Sequence, residues 1–511
     1  MPTPAPDSKN KHSYALFLAV AAGFLITFLL GIWKNDFPFY YHVDEPSKAR
    51  QILTGERNLH HPLLMLSSAD LLVQMGMVTR DAQSVTEAGR TVSAFFSAAA
   101  VALLTLTIGA GFGVVAGWIT ALLASTHWNI FELAHYFKED PSLAFGLMCT
   151  FAAIALWRRK PGGWSAMVMG AALALALSGK YIGVIVLPYV IIVWFFYRPV
   201  KPWQSLALLL ATLAVVFVVI NLTMFIQPDT LRASLKKETL GVLHGGEIAT
   251  KGFFHGGFFK RILQVSKVAL FPGLLFLFIF GWKKIKQWPI EVTALISFPF
   301  FLALVLGFSQ KDSGRYFLPG VFGLCAASAV GWKLWIDYMA TAVKNRRSLQ
   351  TTTVVLALVA IVGSGVRLYD YAEGFGQGTR ERVSDWIANN LPPTVFVAQS
   401  METKLADPAA EGRESVEKAF PQKLITIDRL SNKATLESLK AQGVTHLVAT
   451  ESEWKDYLRS KKGKVREGKK DVFAQRQDFW RSVVEQAEEV WSCEAGKVGT
   501  HNPPIKVWQI Q

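Results

Sequence analysis

Over roughly the first 370 residues, long apolar runs alternate with short polar breaks; beyond that point the runs shorten and mix with charge. Eleven runs stand out, at about 14–34, 91–109, 110–126, 141–157, 164–178, 181–197, 204–225, 265–282, 288–308, 315–335 and 351–368. Most are long enough for a helix to cross a hydrocarbon core of ~30 Å; the third and fifth are short. The first run is too long, and too poor in small residues at a cleavage position, for a removable leader, and reads as a retained helix. The pattern predicts a polytopic α-helical membrane protein of about eleven transmembrane helices, residues 1–369, followed by a small C-terminal soluble α/β domain, residues 370–511.

The breaks between runs are unequal. Residues 35–90 form a long first loop with two helix-like stretches. One, 46–57, opens with Pro46 in a first-turn position. The other, 62–77, carries apolar residues at helical spacing and is expected to lie in the interface plane. Further loops span 127–140, 226–264 and 309–314, the third of these four being rich in glycine. In the tail, Thr379–Asn390 and Ala434–Gln442 read as helices. Val395–Ala398, Leu424–Ile427 and Thr445–Ala449 read as buried strands, and Lys461–Lys470 as a charged loop. That alternation suggests a small α/β layer.

Charge orients the chain. Lys9 and Lys11, Arg158-Arg159-Lys160, Arg198 with Lys201, Lys283-Lys284 with Lys286, and Lys344 with Arg346-Arg347 fall on one side. By the positive-inside rule that side is cytoplasmic, with the N-terminus inside and the tail outside. The net charge of +15 resides entirely in the membrane part, because residues 370–511 hold 21 basic and 21 acidic residues. It therefore needs no nucleic-acid partner. The three cysteines offer no disulfide framework or zinc spacing, which fits a bacterial inner membrane with the tail in the periplasm.

Candidate chemistry collects at the outer boundary. Asp44-Glu45-Pro46 follows the first run, and Glu139-Asp140-Pro141 precedes the fourth. Such carboxylates serve as a general base, a metal ligand or a helix-end charge. Asp140 before Pro141 is a plausible N-cap. Asp44, Glu139 and Asp140 together would suit a divalent cation such as Mg²⁺ or Mn²⁺. Arg90, Lys180 and Arg315 lie at the same boundary and suit a phosphate, or else snorkel to lipid headgroups. The candidate substrate-binding set is His61, Arg90, Lys138, Lys180, His244, His255, Arg315 and Tyr316. No phosphate-binding nucleotide loop, dinucleotide fingerprint or nucleophile elbow is present.

The order of these motifs resembles the GT-C glycosyltransferases, in particular the protein O-mannosyltransferase and aminoarabinose-transferase-like group, over roughly residues 14–335. The motifs are Asp-Glu after the first run, His-Pro-Leu in the same loop, Arg at the second, Glu-Asp-Pro before the fourth, Gly-Lys-Tyr after the fifth and Arg-Tyr-x-Leu-Pro at a late run. The resemblance implies a polyprenyl-phosphate sugar donor and transfer to a hydroxyl on the outer face, with inversion. It implies Asp44 as general base, Glu45 in support, Glu139 and Asp140 near the acceptor or a metal, and Arg90, Lys180 and Arg315 on the donor phosphate. The acceptor is left open among a protein hydroxyl, a lipid and a glycan. Two other classes compete: a polyprenyl-lipid transporter, which would need a charged path through the bilayer, and a non-catalytic membrane scaffold.

Overall fold

Every apolar run in the first 370 residues becomes helix, because a bilayer leaves a backbone no other way to satisfy its hydrogen bonds than within the segment. The computed structural model describes residues 6–244, 257–309, 314–341, 346–376, 378–400, 402–405, 421–427, 430–433, 435–459, 465, 468, 470–499 and 501–510. Among these, six helices are long and apolar enough to cross a membrane, or up to eight if each of two bent pairs is one span. The bent pairs are Val114–Ser125 with Trp128–Ala134, and Phe259–Ser266 with Phe271–Gly281, turning by 57° and 112°. The remaining three expected spans are shorter apolar helices: Gly163–Gly179, Tyr181–Phe196 and Ile290–Leu306. The chain is thus a membrane protein in which several expected spans are broken or short. The stretch expected in the interface plane holds helix Leu64–Gln74, which buries Leu64, Met65, Leu66, Ala69 and Val73 against its neighbours.

Four helices set the frame of the candidate site: α1 (Glu45–Thr54), α2 (Ala82–Phe112), α3 (Glu139–Arg159) and α4 (Gly163–Gly179). At 1.5 Å per residue α3 is about 31 Å long, enough to cross a hydrocarbon core. Its first turn carries Glu139 and Asp140, while at its far end Arg158 pairs bidentately with Glu291 at 2.8 and 2.9 Å. The acidic pair and the Arg158 cluster therefore sit at opposite ends of the bundle. α3 and α4 cross closely because two glycines allow it. A Cβ on Gly146 would lie 2.4 Å from Ala176 Cα, and one on Gly179 would lie 2.7 Å from Leu143 Cα.

The tail folds as expected in class. Five described strands form one sheet in the order β2-β1-β3-β5-β4, with β1 Phe396–Ser400, β2 Lys423–Ile427, β3 His446–Thr450, β4 Ala487–Cys493 and β5 Ile505–Ile510. β1 is parallel to both β2 and β3; β5 joins β3 and β4 antiparallel. Helix Thr379–Asn390 has the expected limits, and the second expected helix is Leu436–Ala441. Helix Lys470–Gln486 packs Trp480 and Val483 into a core with Leu447 and Trp508. The charged stretch 461–470 lies mostly outside the described residues.

The domain is clamped to the first loop. Tyr41 is buried and donates from its hydroxyl to Glu381 at 2.7 Å. Arg380 lies over the Tyr41 ring at 4.9 Å. The His501 ring meets Phe37 and Tyr41 edge-on at 4.8 and 5.0 Å.

Candidate functional site

Pro46 fixes the first turn of α1, which leaves Asp44 at the N-cap position with no side-chain capping bond. Its carboxylate points elsewhere. Oδ2 receives the Lys138 ammonium in close contact and Arg315 at 3.4 Å. The Asp44 backbone N–H donates to His42 Nδ1 at 3.2 Å. Burial pushes His42 well below its ordinary range, which keeps the ring neutral and able to accept that bond. Burial alone would raise the Asp44 carboxyl, but Lys138, the His42 environment and Arg315 outweigh it and hold Asp44 well below the usual carboxylate range.

Lys138 caps the start of α3 in extended conformation, so Asp140 does not serve as the N-cap. Asp140 is fully buried and instead accepts from Lys180 Nζ at 2.8 Å. Lys180 sits where α4 ends, between Gly179 and the 3₁₀ turn Tyr181–Val186, with an extended backbone. That break frees its side chain from the helix surface. Glu139 pairs closely with Lys48 one turn into α1. Burial, then repulsion from Lys138, lowers Lys48 to about 7.

The neighbouring acid has another fate. Glu45 and Arg90 are both wholly buried, with Arg90 Nε and Nη2 donating to the two Glu45 oxygens at 3.1 and 2.7 Å. The other guanidinium N–H groups go to the carbonyls of Asn35, Phe37 and Pro38. Phe37 stacks beneath the guanidinium at 3.5 Å, and the Phe137 N–H donates to Glu45 at 2.8 Å. Gly89 makes room for this arrangement, since a Cβ there would lie 2.3 Å from the Phe137 ring. All five Arg90 N–H donors are engaged, so Arg90 has none left for a phosphate. Glu45 and Arg90 hold the first loop and do not line the cavity.

Two cavities share a wall. The first, about 250 Å³, is polar and is bounded by Asp44, Lys48, Glu139, His60, Lys237 and Arg315, among others. The second, about 310 Å³, is mainly apolar, with Ile182, Leu235 and Leu306 beside Lys180. His61, Glu238 and Tyr316 line both. Tyr316 lies between two cations, with Lys180 at 4.7 Å and the Arg315 guanidinium at 5.4 Å from its ring. Burial, then Lys180, pushes His61 down to about 2, so it forms a neutral wall.

Of the twelve expected residues, Asp44, Glu139, Asp140, Lys138, Lys180, Arg315, Tyr316 and His61 are thus brought together, with Lys138 and Asp140 behind the cavity walls. His244 ends helix Pro228–His244, whose described part supplies Lys237 and Glu238; His255 lies outside the described residues. The expected cation site for Asp44, Glu139 and Asp140 does not fit the donor set. Each carboxylate is neutralised by a different lysine, and no group of three or more His, Cys, Asp or Glu able to hold a metal occurs among the described residues. Sequence reading missed Lys48, though its i+4 spacing from Asp44 on a helix begun by Pro46 was a signal.

Residues 82–235, less than half of the chain, match the family model described as dolichyl-phosphate-mannose-protein mannosyltransferase. No curated protein sequence matches. Among solved structures, ArnT from Cupriavidus metallidurans bound to undecaprenyl phosphate is similar with a TM-score of 0.53 at 13% identity, over 96% of this chain and 97% of that one. The oligosaccharyltransferase AglB from Archaeoglobus fulgidus, in complex with an inhibitory peptide and a dolichol-phosphate, is similar with a TM-score of 0.50 at 12% identity, over 89% of this chain and 71% of that one. The chain is a membrane protein with the fold of the GT-C glycosyltransferase superfamily.

Proposed function

We propose that the protein is a glycosyltransferase that moves a sugar from a polyprenyl-phosphate carrier to an acceptor hydroxyl on the extracytoplasmic face of a bacterial inner membrane. The observation that carries this reading is the shared wall. An apolar cavity suited to a prenyl chain meets a polar one at Tyr316, between Lys180 and Arg315, with Asp44 on the polar side. Around it, Lys48, Lys138, Lys180 and Arg315 face Asp44, Glu139 and Asp140, an excess of positive charge suited to one phosphate. The charge pattern of the loops supports the assigned side. The similarity to ArnT bound to undecaprenyl phosphate supports the class of donor.

In this reading Asp44 Oδ1, opposite the oxygen held by Lys138 and Arg315, takes the proton of the acceptor hydroxyl. The acceptor oxygen forms the new bond to the anomeric carbon. The bond from that carbon to the phosphate oxygen breaks, and its electron pair leaves on the phosphate. Lys180 and Arg315 stabilise that charge, as preorganised cations do. Arg315 couples the two events: as it turns toward the phosphate, Asp44 loses a compensating charge and becomes more basic. Asp140 positions Lys180, Lys138 keeps Asp44 ionised, and Glu45 with Arg90 fixes the loop. Attack from the face opposite the phosphate inverts the anomeric centre.

The test is donor consumption by purified protein in liposomes, using a panel of polyprenyl-phosphate sugars with an envelope extract as acceptor source. Release of polyprenyl phosphate from one donor is expected. Intact donors throughout, with a labelled lipid crossing the bilayer, would replace this reading with transport.

A further inference from the structure

A third cavity, about 450 Å³, lies between the C-terminal domain and the first loop and plays no part in the chemistry above. Its place in the sheet is informative. β1 has β2 on one side and β3 on the other, both parallel, so the chain leaves β1 in one direction and returns to its opposite side. Ligands of such sheets bind outside the carboxyl ends of the strands, where the connections diverge. The cavity opens at that point: Glu402 follows β1, Thr450 ends β3, and Glu451 and Ser452 begin the helix Glu451–Arg459 that follows it. Ser452 Oγ donates to Glu402 at 3.1 Å, bridging the two strand ends.

Across the cavity stand Tyr41 and Val43 of the first loop, with Pro503 and Pro504 beside them. Val43 is 59% exposed and lines this cavity and the polar one holding Asp44. The next residue in the chain is Asp44 itself. A ligand that spans the cavity from the strand ends to Val43 therefore touches the residue next to the proposed base.

The lining selects the ligand. Carboxylates and hydroxyls on one side face prolines, a tyrosine and a valine on the other. The cationic side chains are already engaged: Lys455 pairs with Glu451 at 2.5 Å, and Arg380 donates to the carbonyls of Thr403 and His501. Glu451 is engaged in the same pair, so the two acids and two bases of the lining leave no net charge to draw an ion. A sugar ring, with C–H faces and a hydroxyl edge, matches both sides. The volume falls in the range of about 300–1,000 Å³ usual for small-molecule sites.

We infer that this cavity is the acceptor subsite and that it takes a neutral saccharide, presenting one hydroxyl past Val43 to Asp44. The inference rests on the transferase reading for the word acceptor, but the binding site itself is tested separately. Saturation-transfer NMR on the full-length protein in nanodiscs would use the methyl glycosides of glucose, galactose, mannose and N-acetylglucosamine in both anomeric forms. At least one is expected to show transfer to its ring C–H protons. Ser452→Trp, which fills the cavity, should abolish that signal. Glu402→Gln, which keeps size and can still accept from Ser452, should weaken binding about tenfold, the loss of one charge-assisted hydrogen bond.

Absence of any glycoside signal sensitive to these two variants overturns the inference. So does binding of a serine- and threonine-containing peptide at the same residues, which assigns the cavity to polypeptide. Donor consumption is read in the same preparation. Glycoside binding without donor consumption retains a saccharide site and removes the transferase reading; donor consumption without glycoside binding does the reverse.

Discussion

Asp44 and Glu45 are adjacent, equally acidic and placed at the same boundary, yet they end in opposite environments. Glu45 is sealed with Arg90, every guanidinium N–H engaged and no solvent access. The Asp44 side chain stays 43% exposed on a cavity wall, held at one oxygen by Lys138 and Arg315. One residue's difference along the chain turns one carboxylate into scaffold and the other into a candidate for chemistry. A buried pair with all hydrogen bonds made resists change, whereas an exposed carboxylate held by two cations can release the more exposed one, Arg315. Substitutions can separate the two roles.

The largest effect is expected at Asp44. Asn in its place should lower transfer by about 10²–10⁴-fold per folded molecule, the range for a lost general base. Next comes the sealed pair. Arg90→Ala leaves Glu45 charged and buried, and should cost about 3–5 kcal/mol of stability, read as a lowered unfolding midpoint. Glu45→Gln should act in the same direction and leave turnover per folded molecule far closer to wild type than Asp44→Asn does. A smaller effect is expected at Arg315. Its Ala variant should weaken binding of polyprenyl phosphate by about tenfold, from the loss of a charge-assisted contact, measured by titration in detergent.

The smallest effect is a pH dependence. Lys48 lines the polar cavity and is lowered to about 7 by burial and Lys138. An anion binds the protonated ammonium, so phosphate affinity should be highest below that value and fall a few-fold as pH rises through it. Lys48→Arg, whose charge does not titrate in this range, should flatten the decline. Affinity that rises with pH would show that Lys48 does not sense the phosphate.

The residues at the ends of apolar runs were readable in the sequence because a polar side chain at a bilayer boundary stands out. Asp44, Lys180 and Arg315 were found that way. Their pairing was not readable: nothing along the chain says that Lys138 meets Asp44 while Arg90 meets Glu45, because both contacts depend on how the first loop returns over α2 and α3. The same limit explains Lys237 and Glu238, which reach the cavity only when helix Pro228–His244 folds back. In the tail, β1, β2 and β3 were readable as short apolar runs. β4 was hidden by the exposed Glu488 and Glu489 of an edge strand and by an irregularity between Glu489 and Trp491. β5 does not alternate, since Val507 and Trp508 are both buried along with Ile505 and Ile510, and its brevity and neighbouring prolines obscured it further. The broken spans were missed because hydropathy records apolar length and not direction, and the bends at 126–128 and 267–270 leave it unchanged.

In the proposed reaction Asp44 acts where Glu45 does not. The most direct measurement is release of polyprenyl phosphate from its sugar-linked form by wild type, Asp44→Asn and Glu45→Gln in matched liposomes, each rate divided by the folded fraction. The account predicts loss of release in Asp44→Asn and its retention in Glu45→Gln. Equal rates in wild type and Asp44→Asn, or loss confined to Glu45→Gln, would contradict it.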